Sequence, residues 1–132
     1  MNADILSSSP GIFEIDASHD GAILHSDFTL VSSTNPAVPG ETVLIYATGL
    51  GPVTPAQANG APASTSELAT AANPQVKIGS QVTTVMWTGL APGFVGLYQI
   101  NAVVPTGANT GNNTITLQTP SATSNAAVIA VQ

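Results

Sequence analysis

The chain has 132 residues, 43% of them hydrophobic, with no cysteine, a formal net charge of −6, and Lys77 as its only lysine or arginine. That length makes one domain, able to bury roughly two thirds of its unfolded surface without disulfides. One lysine cannot neutralise a run of phosphates, so DNA, RNA and anionic lipid are excluded as partners, and no apolar run approaches the roughly twenty residues that span a bilayer. Charged residues make up 6% where about 25% is usual, so solubility rests on Ser, Thr, Asn and Gln. A surface with so few tryptic sites points to an extracellular or cell-surface location.

Residues 1–10, MNADILSSSP, form an N-terminal arm without the basic end and apolar stretch of a secretory signal. Either a signal has been removed or the chain is a fragment of a longer protein. IFEID and AILHSDFTLVS follow and flank Asp20-Gly21, which reads as a β-hairpin turn. Pairing about that turn sets Ala17 against Leu24, Ile15 against Ser26 and Phe13 against Phe28. One face then collects Phe13, Ile15, Ala17, Leu24 and Phe28 as a core face. The other collects Glu14, Asp16, Ser18, His25 and Asp27, with Asp16 opposite His25 and only Ile23 out of place.

The stretch DASHDGAILHSD also has the spacing of a twelve-residue calcium loop. Asp16, Ser18 and Asp20 offer oxygens, Gly21 is sixth, Ile23 eighth and Asp27 twelfth. An EF-hand needs helices on both sides, whereas PGIFEI and FTLVSS are β-branched or aromatic. The hairpin is therefore the reading, with weak calcium binding through Asp16, Ser18, Asp20 and Asp27 as the alternative. His19 and His25 point to opposite faces in this register, which argues against zinc or copper.

TVLIYATG is the next strand, and residues 49–74 form a long surface connection in which SELATAA reads as one helical turn. PQVKIG and VTTVMWTG then pair across a Gly79-Ser80 turn. Val76 and Ile78 take the core face, which turns Lys77 outward opposite Val82 and tells against a lysine cross-link. Trp87, in phase with Val85, is assigned to the core with them. In GLYQINAVVP, Tyr98, Ile100, Ala102 and Val104 alternate with Gln99, Asn101 and Val103. NTITLQT and SNAAVIAVQ close the series. The last carries no charge or proline, so at a sheet edge it would offer unpaired amides to a neighbour. The pattern predicts an all-β, immunoglobulin-like sandwich of eight or nine short strands over residues 11–132.

The segments NPAVPGETVLIYATGLGP, VKIGSQVTTVMWTGL and APGFVGLYQINAVVP, in that order, resemble the uncharacterised C-terminal domain of large secreted proteins from Solibacter-type acidobacteria. The similarity runs from Pro10 to Gln132. It extends to the IPT/TIG group of Ig-like domains, whose G-x-x-V strand, V-x-I-G hairpin and closing V-P match Gly40 to Val43, Val76 to Gly79 and Val104-Pro105. The resemblance implies a non-catalytic module appended to something larger, with no functional residues to carry over.

Catalytic signatures point the same way. No G-x-S-x-G occurs, and acids clustered in the first third with 5% aromatics leave little from which to build a glycosidase cleft. The chain is read as a non-enzyme without a cofactor. Three functions stay open: a structural or interaction module whose partners are other domains of a parent protein or copies of itself, a self-assembling fibre subunit, and a calcium- or carbohydrate-binding module. Glycan binding needs exposed aromatics, and Tyr46 is the one spare candidate.

Overall fold

Two antiparallel sheets close over an aliphatic core in the computed structural model, which describes residues 10–15, 20–50, 53–54, 70–71, 73–91, 97–119 and 122–132. The strands in chain order are β1 (Gly11–Ile12), β2 (Ile23–His25), β3 (Thr42–Thr48), β4 (Val53–Thr54), β5 (Thr70–Ala71), β6 (Gln75–Ile78), β7 (Gln81–Val82), β8 (Val85–Leu90), β9 (Tyr98–Val103), β10 (Gly111–Gln118) and β11 (Ala127–Val131). The larger sheet runs β1-β3-β9-β8-β5-β4, with β2 also on β3, and the smaller runs β11-β10-β6-β7. The protein is thus an all-β sandwich. It has more strands than expected, because the connection after Gly49 contains β4 and β5 and one predicted strand divides in two.

Alternation of apolar residues builds the core, since side chains of neighbouring strand positions face opposite ways. Ile12, Ile23, Val43, Ile45, Ile100 and Ala102 come from the larger sheet. Val76, Ile78, Ile115, Leu117, Ala127, Ile129 and Val131 come from the smaller. β3 is the axis of the larger sheet because TVLIYAT is mostly β-branched or aromatic and pairs on both sides. It meets β9 from Thr42↔Val103 to Ala47↔Tyr98 and meets β1 and β2 end to end along its other edge. The Gly79-Ser80 turn forms as predicted, with Gly79 at φ +62, Lys77 paired to Val82 and exposed, and Val76 and Ile78 buried.

Three expectations are corrected. Asp20-Gly21 is not a turn: Glu14 bridges Gly21, Ile15 N–H donates to the Asp20 carbonyl and Ala22 N–H donates to the Phe13 carbonyl. Both residues already lie on the returning arm, and a bridge of Asp20 to Val128 ties that arm to β11. The shift reverses the faces, so Ile23 is 1% exposed while Phe13, Ile15 and Phe28 are 44%, 47% and 68% exposed. Ile23, the residue out of place in the predicted pattern, was the correct indicator. AILHSDFTLVS also bends back on itself through Leu24↔Leu30, around a turn in which Phe28 sits at φ +70. Asp16, Ala17, Ser18 and His19 lie outside the described residues, so the predicted Asp16–His25 and Ala17–Leu24 pairs do too.

The second correction concerns VTTVMWTG. Its start, β7, belongs to the smaller sheet, and after Thr83-Thr84 the chain crosses to the larger sheet as β8. A bulge between Val85 and Trp87 then changes the parity: Val85 pairs with core-facing Ala102, but Trp87 pairs with Asn101 on the outer face. Thr88, opposite Ile100, takes the inward place and is 1% exposed. Trp87 is half-buried rather than a core residue.

Third, Thr70 and Ala71, in the segment read as a helical turn, are strand β5 and pair with β4 and with Gly89. The free side of β11 is also partly capped. Gly21 N–H donates to the Val128 carbonyl, Ala37 N–H to the Ala130 carbonyl, and Gln132 N–H to the Ala37 carbonyl. An addition at this edge would have to displace those contacts.

Candidate functional site

The turn after β2 and the segment leading into β3 border an open cleft of about 440 Å³ lined by His25, Asp27, Thr29, Asn35, Glu41 and Gln132, among others. β2 delivers His25 to its floor. The ring's Nδ1 lies 2.8 Å from Glu41 Oε1 and its Nε2 lies 2.9 Å from the Asn35 carbonyl oxygen. A carbonyl can only accept, and so can an ionised carboxylate, so this geometry favours the imidazolium, in which both ring nitrogens donate. Partial burial opposes that charge, but the Asn35 carbonyl and the Glu41 carboxylate outweigh it and hold the histidine above its ordinary pKa.

Three other polar side chains of the cleft, Glu41, Asp27 and Asn35, hold backbone. Glu41 Oε2 accepts from Val38 N–H at 2.6 Å. Asp27 Oδ1 accepts from Thr29 Oγ1 at 2.6 Å and from Thr29 N–H at 3.0 Å, bonds that stabilise its ionised form and lower its pKa. Asn35 Nδ2 donates to the Leu30 carbonyl. These are local side-chain-to-backbone bonds of the kind that fix turns.

Of the calcium candidates, Asp16 and Ser18 lie outside the described residues. Asp20 is half-buried beside β11 and Asp27 is exposed in the turn after β2, where it is bonded to Thr29. The two belong to different pairings and do not converge as positions of one loop. Among the described residues no three His, Asp or Glu side chains gather where they could share a metal ion. His19 lies outside the described residues, and Lys77 is on the smaller sheet, away from the cleft lining.

A second polar group stands on the outer face of the larger sheet. Asn101 is paired with Trp87 on one side and Leu44 on the other, and Gln99 is paired with Tyr46. Gln99 Nε2 donates to Asn101 Oδ1 at 2.9 Å. Sequence periodicity placed Gln99 and Asn101 outward correctly but missed Trp87 beside them, because the bulge at Met86 leaves no pattern in period two. Asn125 was missed as well: its Oδ1 accepts from Ile12 N–H at 2.8 Å, and its Nδ2 donates to the Ile12 carbonyl and to Glu14 Oε2. A single asparagine among small residues gives no sequence signal for such a role.

A family model described as Structural protein 2 nucleoplasmin-like domain matches residues 10–132. The chain belongs to that family. Searches of curated proteins and of solved structures gave no match. The nucleoplasmin-like domain is a β-sandwich, in agreement with the two sheets found here, and the matched span begins at Pro10, which is buried.

Proposed function

We propose that the chain is a non-catalytic structural and interaction module of a secreted or cell-surface bacterial protein, partnered by other domains of that protein or by copies of itself. The observation that carries this reading is the match of residues 10–132 to a structural-protein domain. The engagement of His25, Asp27 and Glu41 with turn backbone supports it, because groups that resemble a site are committed to holding the fold. The charge-poor composition supports an extracellular setting, and the resemblance to the acidobacterial C-terminal domain supports attachment to a larger protein. Strand donation into β11 draws less support, since Gly21 and Ala37 already occupy part of its edge.

Light scattering of the full chain over a wide concentration range, with EDTA or millimolar calcium, tests the proposal. A stable monomer or a small closed oligomer, indifferent to calcium, is expected. Open-ended growth in mass with concentration would replace it with the fibre reading, and a calcium-dependent rise in melting temperature would replace it with the calcium-binding one.

A further inference from the structure

The outer face of the larger sheet brings together chemistry that the alternation of the sequence separates. The bulge before Trp87 turns the indole outward and sets it directly across from Asn101. One strand pair further, Tyr46 lies directly across from Gln99. Each amide therefore has an aromatic ring on the neighbouring strand, with the rings on opposite sides of β9. Adjacent strands are about 4.8 Å apart and positions two apart on one strand are about 6.8 Å apart, so Trp87 and Tyr46 have their backbones about 12 Å apart across a diagonal. Leu44 lies in the row between Asn101 and Leu24 and is 6% exposed, so the face is covered at that position and open only beside it.

The two amides are oriented by their mutual bond. Gln99 Nε2 donates to Asn101 Oδ1, which leaves Gln99 Oε1 and Asn101 Nδ2 without a protein partner among the described residues. That is one fixed acceptor next to one fixed donor. All four side chains are half-buried, so each is held by its neighbours with only part of its surface open to solvent. The strands that carry them contribute no charged side chain to this face, Lys77 lies on the smaller sheet, and Glu41, Asp27 and Asp20 lie elsewhere.

From this arrangement we infer that the outer face of the larger sheet binds a neutral saccharide, with Trp87 and Tyr46 stacking on sugar rings and Gln99 and Asn101 hydrogen-bonding vicinal hydroxyls. Aromatic faces take the apolar C–H side of a sugar, and each free amide group satisfies a hydroxyl that water would otherwise hold. An anionic glycan finds no cation here, which makes neutrality part of the recognition. An apolar protein surface fits less well, because it would bury the free amide groups without a partner. The inference deepens the module reading and rests on it, by naming the partner.

Trp87 is the chain's single tryptophan, so its emission reports on this face alone. Cellulose derivative, xyloglucan, galactomannan and laminarin are the neutral probes, with polygalacturonate as the charged control, in affinity gels and fluorescence titrations of the full chain. At least one neutral polymer is expected to retard the protein and shift the emission, and polygalacturonate to do neither. Trp87→Ala and Asn101→Ala should weaken retention by at least about tenfold. Gln99→Ala, on a position whose side chain leaves the core untouched, serves as the variant least exposed to a folding defect. No retention by any neutral polymer, or retention unaltered in all three variants, would overturn the inference and leave the module reading in place. A change in mass by light scattering on Trp87→Ala, with no glycan effect, would overturn it in favour of a second copy on this face. Release of reducing sugar ends over time would instead count against the non-catalytic reading itself.

Discussion

His25 and Glu41 form a clasp in which one ring holds both ends of a short segment, through the Glu41 carboxylate at 2.8 Å and the Asn35 carbonyl at 2.9 Å. Between those ends Ala37 exchanges hydrogen bonds with the edge of β11. Because the ring's pKa is raised above 6.5, its stabilisation is complete below that value and fades as pH climbs through the raised one. Melting temperature should therefore be higher in mild acid and fall by a few degrees toward about pH 9, as one charge-assisted hydrogen bond is lost. Asp27 titrates below its ordinary range and contributes its change only in stronger acid. His25→Gln should flatten the alkaline fall, whereas His19→Gln should retain it. Thermal scans across this range check the sign; a melting temperature that rises toward alkaline pH contradicts the clasp.

Asn125 acts as a side-chain extension of the sheet edge, accepting from Ile12 N–H and donating to the Ile12 carbonyl and to Glu14. Ile12 is 4% exposed, so loss of that partner leaves an amide poorly placed to find water. Asn125→Ala is expected to cost about 1–2 kcal/mol in urea denaturation. Asn125→Asp should do no better, since it removes the Nδ2 donor and sets a second carboxylate against Glu14.

What was legible in the sequence divides along a physical line. Where alternation runs unbroken between glycines, as from Val76 through Gly79 to Val82 or from Tyr98 to Val104, strand, face and register all follow from period two. Where backbone departs from that period, they do not. Asp20-Gly21 has the composition of a hairpin turn, yet Gly21 is a point of close approach: a Cβ there would lie 2.9 Å from Ile23 Cδ1, so the core side chain of Ile23 would have to shift. The residue type was read correctly and its reason was not. One extra residue at Met86 likewise moved Trp87 from the core to the outer face. The His25 clasp and Asn125 rest on contacts between distant segments, which no local pattern encodes.

Calcium is not expected to contribute to folding. Asp27 already accepts two bonds from Thr29, with which a cation would have to compete, and Asp20 lies in a separate backbone pairing beside Val128. Melting temperature should agree between EDTA and millimolar calcium, and Asp20→Asn should leave that agreement intact. A calcium-dependent rise that Asp20→Asn abolishes would restore the loop reading of residues 16–27.

Thr88 and Trp87 offer the sharpest test of the bulge, because the two side chains exchange faces if it is absent. With the bulge, Thr88 is 1% exposed and its hydroxyl has no hydrogen-bond partner inside the core. A buried hydroxyl without a partner costs roughly 1–3 kcal/mol, so the near-isosteric Thr88→Val should raise stability by about 1 kcal/mol. Trp87→Ala should cost less than the roughly 3–5 kcal/mol of a core tryptophan, since part of the indole is already in water. Its emission should be quenched by iodide more readily than that of a core indole. Urea denaturation of both variants decides the matter. If Thr88→Val destabilises while Trp87→Ala shows the full core penalty, the strand runs without the bulge, and the saccharide platform loses one of its two rings.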